Sequence, residues 1–295
     1  MLKFDKIKLV TSILNVTSID KRYFKETFRN GEIISLRYDN KNPFNLEITL
    51  DEIRKELVLE FTSKILKEDF IQLLSKDTII KALNNINALG MINLDVDKLM
   101  KDSKVLKCDV TYDVKTNFDK GIYKVLLNSV PNYNNKWHLS KYRTGLVINK
   151  NVKSSRCKER LTIYDKTCEL YRKSVFLNLF DSHTQNDLLD YFEDITRFEM
   201  NLFSIASIKS KLKIKDSQLL NVLDSTANPI NDLLKRVFSV FVPCGSSTKQ
   251  NTPNRNKVKL TYEGLFGFSK KETIFYPGII LKNSWQNVHL LNVTN

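Results

Sequence analysis

Only four cysteines, Cys108, Cys157, Cys168 and Cys244, occur among 295 residues, and none of them stands in C-x-x-C spacing. That argues against a zinc site and against a disulfide framework, and suits a reducing compartment. No apolar run approaches the roughly 18 residues needed to cross a bilayer. Met1 to Val10 is charged where a secretory leader needs an apolar core. The expectation is a cytoplasmic protein without a membrane partner. There is no internal repeat and no long low-complexity segment. An aromatic RNP-like run and a Gly-x-x-Gly loop are also missing, so the common RNA-binding modules do not fit. Acidic residues are in short supply, with 33 Asp and Glu against 47 Lys and Arg, a formal charge of +14 and a pI near 9.4.

What is present makes an ordinary folded chain. Hydrophobic residues are 42% of the total, with 17 Phe and 11 Tyr, enough for a sizeable core. The basic excess points first to a nucleic-acid partner, because a basic surface releases counterions from phosphates. The same excess also accompanies a composition rich in Lys, Ile and Asn, so charge alone leaves both readings open.

Strands and helices interleave over the first two hundred residues. Leu46 to Leu50 and Leu57 to Thr62 read as strands joined by a polar connection. Helical spacing follows at Phe70, Leu73 and Leu74 and again at Ile79, Ile80, Leu83 and Ile86, with Asp77 as a candidate N-cap and Gly90 as a stop. Val105 to Val114 reads as a strand, Asn117 to Val130 as a helix, and 131–158 as a polar, basic strand-and-turn region. A strand at Arg160 to Asp165 leads into a helix from about Lys166 to Leu179, and Asp194 to Phe203 reads as a strand. Beyond Ser204, leucines and isoleucines suggest three short helices, and Pro243 to Lys257 is the best linker. The pattern predicts an α+β fold with a mostly antiparallel central sheet flanked by helices. It divides into a domain over 1–205 and a mainly helical C-terminal region over 206–295, suited to binding DNA or a partner.

Chemistry concentrates on three strands. In the first, Leu106, Cys108, Val110 and Tyr112 form a core face, and Lys107, Asp109, Thr111 and Asp113 the polar one. Asp109 and Asp113 would lie about 13 Å apart, which need not place them on one ion. In the second, Arg197, Glu199 and Asn201 share a polar face, where Arg197 and Glu199 either pair at a surface or bring a carboxylate beside Asp109. Glu60 interrupts the apolar run Leu57 to Phe61 and needs a partner, a metal or an exposed face. Glu60, Asp109, Asp113 and Glu199 are therefore candidate ligands for a hard divalent cation, Mg²⁺ or Mn²⁺. In the third, Arg160, Thr162 and Tyr164 share a face, and Tyr164 stands at the strand end with Lys166 just beyond. A phenol of pKa about 10 needs help to act as a nucleophile. A basic stretch precedes it: Lys136, Lys141, Arg143, Lys153, Arg156 and Arg160 with Trp137 and Tyr142 interleaved, the mix that tracks phosphates and stacks bases of single-stranded DNA.

Taken in order, these segments resemble the gene II/X family of rolling-circle replication initiators from filamentous phages and plasmids. Leu59-Glu60-Phe61-Thr62-Ser63-Lys64 is similar to that family's acidic strand and Lys motif. Lys107-Cys108-Asp109-Val110-Thr111 is similar to its Arg-x-Asp-x-Thr strand, Tyr164-Asp165-Lys166 to its Tyr-x-Lys motif, and Arg197-Phe198-Glu199 to its Arg-Phe-Glu strand. The resemblance spans about 57–203. It implies a Rep nickase-like fold and a metal-dependent, site-specific single-strand endonuclease and strand transferase. It further implies Tyr164 as the nucleophile that becomes joined to a 5′ phosphate, Lys166 as a contact to phosphate or phenolate, and Asp109 and Glu199 as metal ligands, with Glu60 and Asp113 beside them. Its partners would be origin DNA, single-stranded or as a supercoiled duplex, with a host helicase and polymerase. Lys107 stands where the family has Arg. The three histidines, His138, His183 and His289, form no His-x-His pair, so carboxylates would have to hold the metal. The same scattered histidines fit a tyrosine recombinase poorly. A non-catalytic DNA-binding initiator or copy-control protein is the alternative, and Tyr142 and Tyr171 are alternative nucleophiles.

Overall fold

The computed structural model describes residues 1–40, 42–115, 137–142, 145–150, 159–172, 174–193, 195–238, 257–261, 273–277 and 291–292. Twelve strands fall within the first two hundred of these: β1 (Phe4–Ser12), β2 (Val16–Ile19), β3 (Lys25–Arg29), β4 (Glu32–Asn40), β5 (Leu46–Asp51), β6 (Glu56–Thr62), β7 (Ile92–Leu94), β8 (Lys104–Lys115), β9 (Trp137–Tyr142), β10 (Gly145–Lys150), β11 (Glu159–Asp165) and β12 (Ile195–Leu202). Ten of them form one sheet in the order β3-β4-β5-β6-β1-β8-β12-β11-β10-β9. Every described pair in it is antiparallel. β2 and β7 pair separately.

Alternation sorts this sheet into two faces. Leu57, Leu59 and Phe61 of β6, Ile7 and Leu9 of β1, Cys108 and Val110 of β8, Phe198, Met200 and Leu202 of β12, and Leu161 and Ile163 of β11 are all buried in one apolar core. Helices seal that core. α1 (Ile79–Asn87) contributes Ile79, Ala82, Leu83 and Ile86, an i, i+3, i+4, i+7 stripe. α2 (Val96–Asp102) adds Leu99, and its N-cap Asp95 accepts from the Lys98 backbone N–H. The N-cap of α1 is Thr78 rather than Asp77. Its hydroxyl donates to the Leu73 carbonyl and accepts from the Ser75 backbone N–H, so it ties the preceding loop down instead of capping the helix.

Three helices lie between β11 and β12: α3 (Lys166–Arg172), α4 (Ser174–Leu177) and α5 (Ser182–Phe192). Leu170, Phe176, Leu177, Leu188 and Phe192 gather with Phe70 and Ile195 into a second apolar cluster. After β12 come α6 (Ile205–Leu212), α7 (Leu219–Leu223) and α8 (Pro229–Phe238), the three short helices that the sequence predicts. Ile208, Leu212, Leu219, Val222, Leu223, Ile230, Leu233 and Leu234 belong to the same core as the sheet. Further on, Lys257–Thr261, Thr273–Pro277 and Leu291–Asn292 form a small three-stranded sheet. No described helix is long and apolar enough to cross a membrane. The helix expected over 117–130 lies outside the described residues.

Two irregularities re-aim side chains toward the polar face. In the β1–β8 ladder Phe4 pairs with Val110 and Lys6 with Asp109, so Asp5 is an extra residue in β1. Lys8 pairs with Lys107 and Leu9 with Val105, so Leu106 is an extra residue in β8. Bulges of this kind shift the inward–outward alternation by one. Leu106 is accordingly only half-buried while Val105 takes its place in the core, and Asp5 joins the polar face.

Candidate functional site

The polar faces of β8, β12 and β11 meet in register. Asp113 lies opposite Arg197, which lies opposite Tyr164; Thr111 opposite Glu199, opposite Thr162; Asp109 opposite Asn201, opposite Arg160. Three strands far apart in sequence thus lay down three rows of chemistry, about 7 Å apart along the strands. A cleft of about 560 Å³ lies over them, lined among others by Asp5, Lys6, Asp109, Tyr142, Arg160, Thr162, Tyr164, Glu169, Glu199 and Asn201.

The Tyr164 hydroxyl donates to Glu199 Oε2 at 3.1 Å. Burial, with the Glu199 charge added, pushes the phenol well above its ordinary pKa, so its resting state is neutral. Asn201 Nδ2 donates to Asp109 Oδ1 at 2.7 Å and to Glu199 Oε1 at 3.3 Å, holding two carboxylates side by side. Burial first, and then the neighbouring Glu199, raise the Asp109 carboxyl to about 7. Glu199 is raised by burial and by Asp5, against the pull of Lys166 and Arg197.

Beneath this pair lies a closed ionic network. Arg197 is 0% exposed. Its Nε and Nη2 each donate to Asp113 at 2.6 Å, and its Nη1 donates to Asp5 Oδ1 at 2.9 Å. Its guanidinium lies 5.9 Å from the Phe70 ring centroid and 5.5 Å from that of Phe192. Burial pushes the Asp5 carboxyl up, but Lys166 and Arg197 outweigh it and hold it below the ordinary range. The neighbour of Arg197 is therefore Asp113 across the sheet, not Glu199 along its own strand. Lys166 is 1% exposed, pairs with Glu169, and sits 5.7 Å from the centre of the Tyr164 ring and 5.3 Å from that of Phe70. Its ammonium supports the Tyr164 ring rather than facing the cleft.

The sequence-derived candidates separate accordingly. Tyr164, Asp109, Glu199 and Arg160 come together. Asp113 is bound bidentately by Arg197. Glu60 pairs with Lys6 and with Lys8, the latter at 2.8 Å. Burial raises its carboxyl, but the two lysines win and lower it. Tyr142 lines the cleft and is 54% exposed, while Tyr171, also exposed, does not line it. Trp137 and Lys141 fall on β9, and Lys136, Arg143, Lys153 and Arg156 lie outside the described residues. Among the described residues no group of three or more His, Cys, Asp or Glu side chains is arranged to hold a metal ion.

No protein-family model matches the chain, and no curated protein matches it. Among solved structures it is similar to one described as a rolling circle replication initiator protein from Geobacillus stearothermophilus, with 11% identity, a TM-score of 0.35, and coverage of 85% of this chain and 90% of that one. Similarity at this level fixes neither a family nor the residues of a site.

Three site residues go beyond the sequence-derived set. Asp5 is signalled only by a break in β1, where the apolar positions Phe4 and Ile7 stand three apart instead of two or four. Asn201 shares the face of Glu199, but nothing local says that it bridges two carboxylates. Gly145 lies opposite Tyr164, and a Cβ there would stand 2.2 Å from the Ile163 carbonyl oxygen and 2.7 Å from Tyr164 Cα. Only a glycine lets the two strands approach that closely at the tyrosine.

Proposed function

We propose that the chain is a replication initiator of the rolling-circle kind, a nickase that attacks one strand of origin DNA through Tyr164 and later rejoins the displaced strand. The observation that supports this most directly is the Tyr164–Glu199 hydrogen bond inside a cleft that also holds Asp109, Asn201 and Arg160. A neutral phenol attacks phosphorus only as its proton departs. Glu199 already accepts that proton's hydrogen bond, which places a base directly on the phenol. The Tyr164 oxygen–phosphorus bond forms, the phosphorus–O3′ bond breaks, the phenolic proton passes to Glu199, and the 3′ oxygen leaves as an alkoxide that takes a proton from water to become the 3′ hydroxyl. The phosphodiester energy is kept in the phosphotyrosine, so rejoining runs the same step backwards.

Arg160, exposed at the cleft, reaches non-bridging oxygens, and Lys166 and Gly145 fix the ring and backbone of Tyr164. Asp109 and Glu199 suit Mg²⁺ or Mn²⁺ on donor chemistry: both offer hard oxygens, and Asn201 holds the two side by side. Two protein ligands with the rest left to water and phosphate is the usual way a protein holds Mg²⁺. When bound, such an ion would offset charge on the phosphate oxygens.

In this reading 1–205 carries the chemistry and 206–295 meets DNA or a partner in the host cytoplasm. The 3′ hydroxyl serves a host polymerase, and a host helicase opens the duplex. The test is a cleavage assay on supercoiled origin DNA with Mn²⁺, comparing wild type with Tyr164→Phe. The expected result is a nicked circle and a protein–DNA adduct from wild type, and neither from the variant, which still binds DNA. Absence of nicking by folded wild type on its own origin would favour the non-catalytic DNA-binding reading.

A further inference from the structure

We propose that the annex beside the main cleft, walled by Lys107, Arg160 and Phe203, binds the DNA segment that ends in the 3′ hydroxyl, through backbone phosphates and one stacked base. This rests on Tyr164 as the nucleophile. The annex is a cavity of about 280 Å³ that shares Lys6, Asp109, Arg160 and Asn201 with the main cleft and adds Lys8, Glu60, Lys107, Cys108 and Phe203. Four cations line it against two carboxylates, and Glu60 is already engaged by Lys6 and Lys8. Lys107 and Arg160 are exposed and form no ion pair with any described residue. Phe203 is 40% exposed and belongs to neither apolar cluster. A half-exposed aromatic ring beside two cations that pair with no described residue is the combination that binds single strands, with the ring taking a base and the cations its phosphates.

Direction follows from the rows. In-line displacement puts the entering and leaving oxygens on opposite sides of phosphorus. From Tyr164 the rows run through Thr162 and Glu199, then Arg160, Asn201 and Asp109, and past the last of them the annex adds Lys107 and Phe203. The leaving O3′ and the nucleotides before it therefore point into the annex. Beside Tyr164 in its own row, Arg197 is wholly buried and already paired with Asp113 and Asp5, so it offers no cation to a phosphate there. After cleavage the two new ends are held differently, the 5′ phosphate covalently on Tyr164 and the 3′ hydroxyl by contacts in the annex. For rejoining, that hydroxyl gives its proton to water and attacks the phosphotyrosine; the phosphorus–O3′ bond forms, the bond to Tyr164 breaks, and the phenolate takes back the proton held by Glu199.

The test uses the full chain and mixed-sequence octanucleotides ending in a 3′ hydroxyl. One carries 5-iodo-deoxyuridine second from its 3′ end, the other second from its 5′ end. After irradiation and peptide mapping, the 3′-proximal label is expected on the peptide containing Phe203 and the 5′-proximal label is not. Phe203→Ala is expected to remove the cross-link and weaken binding about 5- to 150-fold. Lys107→Gln is expected to lower the salt slope of binding by about 0.7. Equal labelling from both probes, no Phe203 cross-link from a bound probe, or no binding overturns the proposal. Adduct formation on Tyr164 without the cross-link sinks the annex alone, and the cross-link without any adduct sinks the nicking chemistry alone.

Discussion

Arg197 shows how a single side chain sets the site's framework. It satisfies Asp113 and Asp5 from two other strands while wholly buried, so its loss strands two carboxylates in the interior. Arg197→Met is expected to cost about 3–5 kcal/mol, read by urea unfolding. A loss under about 1 kcal/mol would mean that the network is open to water. Asp109 makes the opposite contribution. Its folded pKa, about 7, lies above the ordinary carboxylate value of 3.8, so between those values the native state holds a proton that the unfolded chain releases. In EDTA, stability is therefore expected to fall as pH rises from about 4 to 7, and to flatten above 7. Asp109→Asn should reduce that slope, leaving the share that belongs to Glu199, whose carboxyl is also raised. A metal-free protein as stable at pH 7 as at pH 4.5, or a variant with the wild-type slope, would contradict the burial described for Asp109.

At the scale of elements, the hairpin of β10 with β11 and the bulge in β1 place the chemistry. Gly145→Ala forces a methyl group against the Ile163 carbonyl and the Tyr164 backbone. It is expected to cost about 1–3 kcal/mol in stability and to slow adduct formation at least tenfold, since the tyrosine must shift. Thermal unfolding and a single-turnover cleavage time course check the two effects. Unchanged kinetics would mean that Tyr164 tolerates displacement.

The strands themselves were legible because alternation is a local signal. Leu57 to Thr62, Val105 to Val114, Arg160 to Asp165 and Asp194 to Phe203 all come out as strands, within a residue or two. The polar face bearing Asp109 and the face bearing Glu199 were legible for the same reason. What the sequence hid was long-range. That Asp113 belongs to Arg197 follows from register between strands 84 residues apart, and that Glu60 belongs to Lys6 and Lys8 from register across β1. The bulges at Asp5 and Leu106 depend on how two strands mismatch, which neither strand states alone. Leu106 was expected in the core for that reason.

For the molecule as a whole, a sequence charge of +14 goes with a cleft lined by four carboxylates, Asp5, Asp109, Glu169 and Glu199, against Lys6 and Arg160. The account needs the basic surface to draw in phosphates and the carboxylates to hold a cation among them. Single-strand binding should then be strongly salt-dependent. With four phosphate contacts, affinity is expected to fall about 50-fold between 50 and 200 mM salt, measured by fluorescence anisotropy. A change under threefold would leave the excess lysine as composition only. The α+β class with an antiparallel sheet was readable from the interleaved pattern. The shared core was not: helices α6 to α8 look like a separate region in sequence, yet their apolar stripes complete the core of the sheet.

The most direct test of the central claim is to identify the residue that becomes joined to DNA. The protein would be incubated with Mn²⁺ and a supercoiled plasmid carrying the DNA around its own gene, then digested with nuclease and protease. Mass spectrometry would locate the nucleotide-bearing peptide. The account predicts a phosphotyrosine linkage at Tyr164 to the 5′ end of the nicked strand. A linkage at Tyr142 or Tyr171, or nicked DNA with no covalent protein, would contradict it.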